Sequence, residues 1–165
     1  MKIYIAEHAG LCFGVKRAID IAEKTIAEAG GVNTYSLGPL VHNPYVVEKL
    51  NKNGLKIIDN IDSIKKGKII IRSHGIPYNI QKKAEDLNLE IIDCTCPYVK
   101  SVQNRVKEYH NKGYKIIIIG DRNHPEVIGI KGWCNNEGII INEIEEAINL
   151  PAYKKVYIVS QTTNT

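Results

Sequence analysis

An apolar, β-branched run, Leu89-Glu90-Ile91-Ile92-Asp93, passes directly into Cys94-Thr95-Cys96-Pro97. Such a run, then a polar turn, then proline reads as strand, turn and first helical residue. Cys96 is therefore placed beside a helix N-terminus. Partial positive charge there favours the thiolate, the form of cysteine that binds metal or attacks substrate. The same grammar recurs along the chain. Thr34-Tyr35-Ser36-Leu37 leads to Leu40-Val41-His42-Asn43-Pro44, and Lys68-Ile69-Ile70-Ile71 leads to Arg72-Ser73-His74-Gly75-Ile76-Pro77. The run from Tyr114 to Gly120 leads to Asp121-Arg122-Asn123-His124-Pro125-Glu126. Residues 2–6, Leu55–Ile58, Gly138–Ile141 and Lys155–Ser160 read as further strands. A short helix from Ile144 to Leu150 is expected to take Asn142 as its cap. Strands alternating with helices predict an α/β fold with parallel sheets and right-handed crossovers. The likeness of Lys68–Pro77 to Lys115–Pro125 suggests two similar units. Their break is placed at Cys96 and Pro97, giving a first unit over 1–96 and a second over 97–165.

Composition narrows the partners. Lys plus Arg number 22 and Asp plus Glu 18, a net charge of +4, which suits small anions. No long basic run points to nucleic acid, and no apolar run is long enough to span a membrane. The start, Met1-Lys2-Ile3-Tyr4-Ile5, reads as a strand rather than a signal peptide, so a soluble, cytoplasmic protein with reduced thiols is expected. Metal, catalysis or core packing are then the uses open to Cys12, Cys94, Cys96 and Cys134.

Three histidines share one placement. His42, His74 and His124 each follow an apolar strand, with a proline one to three residues later. Each is thus expected at the carboxyl end of a strand, beside a helix N-terminus, where open parallel sheets bind ligands and anions are favoured. With Ser73 and Thr162 on the same edge they predict a phosphate or diphosphate pocket. Glu126, in the first turn after His124, is a candidate proton donor to that pocket. His8 and His110 do not follow the rule and read as surface residues.

Cys12 lies in Gly10-Leu11-Cys12-Phe13-Gly14, a turn before a helical stripe of Val15, Ala18, Ile19, Ala22, Ile26 and Ala29. Cys12 and Cys96 therefore share the strand-to-helix edge. Thiolates from separate units suit an iron–sulfur cluster better than structural zinc, which usually takes paired C-x-x-C knuckles. Cys94 is expected to face the core, and Cys134 to be structural at a helix end. A non-catalytic module holding zinc or phosphate through Cys94, Cys96 and a histidine stays open on these residues.

Gly10-Leu11-Cys12-Phe13-Gly14-Val15, Leu40-Val41-His42-Asn43-Pro44, Ser73-His74-Gly75, Asp93-Cys94-Thr95-Cys96-Pro97, His124-Pro125-Glu126 and Gln161-Thr162-Thr163 occur in this order. Together they resemble the LytB/IspH family of 4-hydroxy-3-methylbut-2-enyl diphosphate reductases. The resemblance implies a [4Fe–4S] oxidoreductase of non-mevalonate isoprenoid biosynthesis. Such an enzyme reductively removes the allylic hydroxyl to give isopentenyl and dimethylallyl diphosphates, with ferredoxin or flavodoxin as electron donor. It implies Cys12 and Cys96 as two of three cluster ligands, and His42, His74 and His124 as substrate-binding residues. Glu126, Thr162 and His124 are implied as catalytic, with Thr162 also binding substrate. The family has three similar α/β units in pseudo-threefold arrangement, of which this sequence matches two. The third cysteine and a Ser-x-Asn segment are expected beyond Thr165, and the 165 residues alone are expected to hold little cluster and to be inactive. Quinolinate synthase, another three-unit iron–sulfur enzyme, shares the three-cysteine plan but works on dicarboxylate-like intermediates rather than a diphosphate.

Overall fold

The isoleucine-rich runs become strands because β-branched side chains fit a pleated surface buried on both faces. The computed structural model describes residues 1–4, 6 and 9–164. Two parallel sheets result. In chain order the elements are α1 (Phe13–Ala27), β1 (Thr34–Leu37), α2 (Pro44–Lys52), β2 (Leu55–Ile58), a 3-10 turn (Ile61–Ser63), β3 (Lys68–Ile71), α3 (Tyr78–Asp86) and β4 (Glu90–Asp93). There follow α4 (Pro97–Asn111), β5 (Lys115–Ile119), α5 (Pro125–Gly132), β6 (Ile139–Ile141), α6 (Ile144–Ile148) and β7 (Val156–Ser160). The first sheet runs β2-β1-β3-β4 and the second β6-β5-β7, with every pairing parallel.

Alternation along β3 divides the first core. Ile70 faces Ala18 and Ala22 of α1, Leu50 of α2 and Cys94. Its neighbour Ile69 faces the other way, onto Ile61, Ile64, Ala84 of α3 and Leu89. In the second sheet Ile116, Ile118 and Val159 pack with Val106 of α4 and Val127, Ile130, Trp133 and Cys134 around α5. The Trp133 indole N–H donates to the Ile76 carbonyl at 3.0 Å, tying α5 to the loop that follows β3.

That junction is close. Gly132 has no side chain, and a Cβ there would fall against Pro77 Cβ and 2.7 Å from Pro77 Cα. Backbone cannot yield as a flexible side chain does. Gly132→Ala is therefore expected to cost about 1–3 kcal/mol. A lowered midpoint in urea unfolding, with an unchanged slope, is the measurement; an unchanged midpoint would show that the two segments separate freely.

Several sequence expectations shift. Lys2, Ile3, Tyr4 and Ala6 belong to no strand, while Ile5 and His8 lie outside the described residues. Ile3 and Tyr4 are exposed and pair with no strand among the described residues. β4 starts one residue later than the apolar pattern suggested, at Glu90. Asn142 is not the cap of α6. Glu143 takes that position in a capping box, the Glu146 carboxylate accepting from the backbone N–H of Asn142 at 2.7 Å and of Glu143 at 3.4 Å. His110 is not free on the surface, since its ring lies 3.0 Å from the Glu137 carboxylate. No described helix is long and apolar enough to cross a membrane.

Candidate functional site

The loops at the carboxyl ends of the strands are stitched to one another. Ser73 donates both its N–H and its hydroxyl to the Leu40 carbonyl, each at 3.3 Å. The Cys96 N–H donates to the Ser73 carbonyl at 2.8 Å, and the Cys94 N–H to the Ile71 carbonyl at 3.0 Å. Arg17 of α1 reaches across to donate to the Thr95 carbonyl at 3.3 Å. Three loops and the start of α1 thus meet at one edge, where the chain's pocket residues converge.

Cys12 and Cys96 cap α1 and α4, and neither thiol makes a side-chain cap bond. Both line a cavity of about 490 Å³ shared with Gly14, Ser73, His74, Tyr98, Glu126 and Thr162. The sulfur of Cys96 fits there because Gly14 has no side chain; a Cβ at Gly14 would stand 2.8 Å from that sulfur. Two thiols at facing helix N-termini are suitable donors for a soft metal or cluster. Cys94 is not among them. It is fully buried in the first core, and burial pushes its thiol up to about 12. A site built on Cys94, Cys96 and a histidine would require Cys94 to leave the first core. Cys134 is also buried, with its thiol raised by burial, and donates to the Lys131 carbonyl at 3.2 Å.

The three histidines meet. His42 and His74 have ring centroids 4.4 Å apart, His74 and His124 5.4 Å, and His42 and His124 5.7 Å. His42 and His124 owe their places to helix starts, and His74 follows Ser73, which is pinned to the Leu40 carbonyl. Asn43 caps α2, accepting from the backbone of Tyr45 at 3.0 Å and Val46 at 3.3 Å, which holds the adjacent His42 in line. His124 is itself the cap of α5, its Nδ1 accepting from the Glu126 N–H at 3.2 Å. A ring nitrogen that accepts carries no proton, so neutral His124 bears its proton on Nε2. Burial, then the neighbouring His42, His124 and Arg72, lowers His74 from the ordinary 6.5 to about 4.

The depressed His74 makes a pH prediction. Below 6.5 the unfolded chain takes up a proton that the folded ring refuses until about 4. Stability is therefore intact above that window and falls as pH drops through it, by about 1–2 kcal/mol once solvent screening of a half-buried ring is allowed for. His74→Gln is expected to flatten this part of the curve of unfolding free energy against pH. An unchanged slope would assign it to other groups.

Glu126, in the first turn of α5, and Thr162, just after β7, are joined by two hydrogen bonds. Glu126 is 1% exposed. One of its carboxylate oxygens accepts from the Thr162 N–H at 2.6 Å and the other from the Thr162 hydroxyl at 3.0 Å. Gln161 holds the turn that carries Thr162. Its side-chain oxygen accepts from the Asp121 N–H at 3.1 Å and its amide donates to Thr163 at 2.8 Å. Neither Arg17 nor the contact at Gly14 was legible as part of the site, because each acts on a partner distant in sequence; Gln161 stands in the Gln161-Thr162-Thr163 motif, but its bond from Asp121 was hidden for the same reason. The Asp93 carboxylate accepts from the Thr95 N–H and pairs with Lys100, each at 2.9 Å. Burial opposes its charge, yet bonds from Thr95 and Lys100 outweigh burial and hold it below its ordinary range.

The family model described as LytB protein matches residues 3–165. A 4-hydroxy-3-methylbut-2-enyl diphosphate reductase from Caldanaerobacter subterraneus subsp. tengcongensis is 51% identical over 99% of this chain and 58% of its own length. The enzyme of the same name from Alkaliphilus oremlandii is 45% identical, with the same coverage. The chain thus spans a little over half the length of these curated relatives. A solved structure of (E)-4-hydroxy-3-methyl-but-2-enyl diphosphate reductase superposes with a TM-score of 0.82 at 42% identity, covering 99% of this chain and 59% of that one. The reductase structure from Plasmodium falciparum gives 0.89 at 31% identity, over 96% and 50%. With its parallel α/β sheets and a family match across nearly its whole length, the chain belongs to the LytB family.

Proposed function

We propose that this chain, as part of a longer protein, carries out the reductive dehydroxylation of 4-hydroxy-3-methylbut-2-enyl diphosphate. The products are isopentenyl and dimethylallyl diphosphates. Two electrons and two protons enter, the allylic carbon–oxygen bond breaks, and water leaves. The reading rests above all on the Glu126 carboxylate closed onto Thr162 inside the cavity that also presents Cys12, Cys96 and His74.

Each group has a chemical task. The donors of His42, His74 and His124, beside the N-termini of α2 and α5, bind the diphosphate. His124 does so as a neutral Nε2–H donor, because its other nitrogen is occupied by its own helix. Fixing the diphosphate positions the allylic end of the substrate towards the cysteine end of the cavity. Hydroxide is a poor leaving group, so a proton has to arrive as the carbon–oxygen bond breaks. Glu126 holds that proton and Thr162 passes it on, its hydroxyl lying between the carboxyl group and the open cavity. Cys12 and Cys96 would hold two corners of a [4Fe–4S] cluster, which when bound supplies electrons and a Lewis-acid iron; the third cysteine would lie outside this sequence. Their shared cavity, free sulfurs and helix-terminal positions fit that role. Ferredoxin or flavodoxin would deliver the electrons in the cytoplasm. We also assign the division between the two α/β units to Cys96 and Pro97, between β4 and α4.

The test is direct. The full-length protein, reconstituted anaerobically with iron and sulfide and given a chemical reductant, is expected to convert the hydroxylated diphosphate to both isopentenyl isomers. Reduction of a dicarboxylate-like substrate instead, or of neither, would overturn the assignment.

A further inference from the structure

The geometry points to a second metal site: His42, His74 and His124 form a three-imidazole seat for a divalent d-block cation such as Zn²⁺, separate from the two cysteines. One ligand nitrogen from each ring lies within 4.8 Å of the other two. Among the described residues no other set of three histidines, cysteines or carboxylates converges in this way.

The spacing suits a tetrahedral ion. With zinc–nitrogen bonds of about 2.0–2.1 Å, the centres of three bound imidazoles stand roughly 5 Å apart. The observed centroid separations of 4.4, 5.4 and 5.7 Å bracket that figure, so small ring rotations bring the nitrogens to the ion. The rings are also tilted or edge-on to one another rather than stacked, as ligands around one centre must be.

The donor chemistry selects the cation. Imidazole suits zinc, cobalt, nickel and copper, whereas magnesium and calcium require oxygen ligands, and no carboxylate joins the triad. A fourth position remains for water or an anion. The loops need no rebuilding, because Ser73 already pins the His74 loop to the Leu40 carbonyl. The one interaction that must yield is at His124. Its Nδ1 accepts from the Glu126 N–H, and its proton sits on Nε2, so a cation binds His124 by displacing that cap. The site therefore trades against diphosphate binding: the same rings are donors to an anion in one state and ligands to a metal in the other.

The test uses this chain with Cys12→Ser and Cys96→Ser, so that no cavity thiol competes for metal. Calorimetry with Zn²⁺ should give one ion per chain. Co²⁺ should give the intense visible bands of a four-coordinate ion with no sulfur charge transfer. In that background His42→Ala, His74→Ala and His124→Asn should each weaken binding about tenfold or more. Asparagine is a good helix cap, so His124→Asn removes the ligand and keeps the start of α5. His42 is exposed, so its truncation spares the fold. Absence of binding, an octahedral cobalt spectrum, or affinity unchanged in all three variants would overturn the proposal.

Discussion

Glu126→Gln in the full-length protein is expected to lower turnover about 10²- to 10⁴-fold while leaving cluster absorption intact. The substitution is nearly isosteric and changes only which groups donate and which accept. Both carboxylate oxygens of Glu126 accept from Thr162, one from its N–H and one from its hydroxyl. A backbone N–H can only donate, so it claims the single oxygen of a glutamine. The amide nitrogen then faces the Thr162 hydroxyl and donates to it, turning the hydroxyl proton away from residue 126. The contact survives, but the group behind Thr162 has no acidic proton to give. Substrate affinity should change little, because the diphosphate donors are untouched, and the loss should fall on kcat. Single-turnover and steady-state kinetics together separate these. Turnover within a few-fold of the parent would remove Glu126 from the proton path.

Cys96→Ser is expected to abolish cluster binding without harming the fold, and Cys12→Ser to do the same. Each cysteine is the cap of its helix yet makes no cap bond through its sulfur. Serine is a favoured cap, so the helices should be as stable as before or gain up to about 1 kcal/mol. What is lost is the thiolate. Iron analysis of the reconstituted full-length protein should fall close to zero, with unchanged circular dichroism. Cys94→Ala is the control: its thiol is buried in the first core and pushed to about 12, so iron content should not change. The 165-residue chain by itself presents two cavity thiols and should hold little iron. About four irons on it would mean that Cys94 or Cys134 had left the core to serve as a ligand.

These expectations draw on two different kinds of information. Ile69, Ile70 and Ile71 announce a buried strand, because a β-branched run has few other stable settings. Pro44, Pro97 and Pro125 announce helix starts, because proline lacks the N–H that the first turn leaves unpaired anyway. His42, His74, Cys96 and His124 stand within a few residues of those signals. Their place after strand ends, with Cys96 and His124 at helix caps, was thus legible without coordinates. Where a signal lacked its long-range partner, the reading failed. The alternation at residues 2–6 fits a strand, but Lys2, Ile3 and Tyr4 find no neighbour to pair with. Asn142 has the right chemistry for a cap, but Glu146 reaches back and moves the boundary to Glu143.

The sequence by itself determined which residues sit at turns, which runs are buried and which helices begin beside a histidine or cysteine, since these depend on backbone preferences over a handful of positions. Only the tertiary structure decided that the Thr162 N–H and hydroxyl close on Glu126, that Gly14 makes room for the sulfur of Cys96, and how closely the three imidazoles approach one another. Those meetings depend on strand order and on how two sheets pack. Contacts between residues dozens of positions apart settle both, and no local preference encodes them.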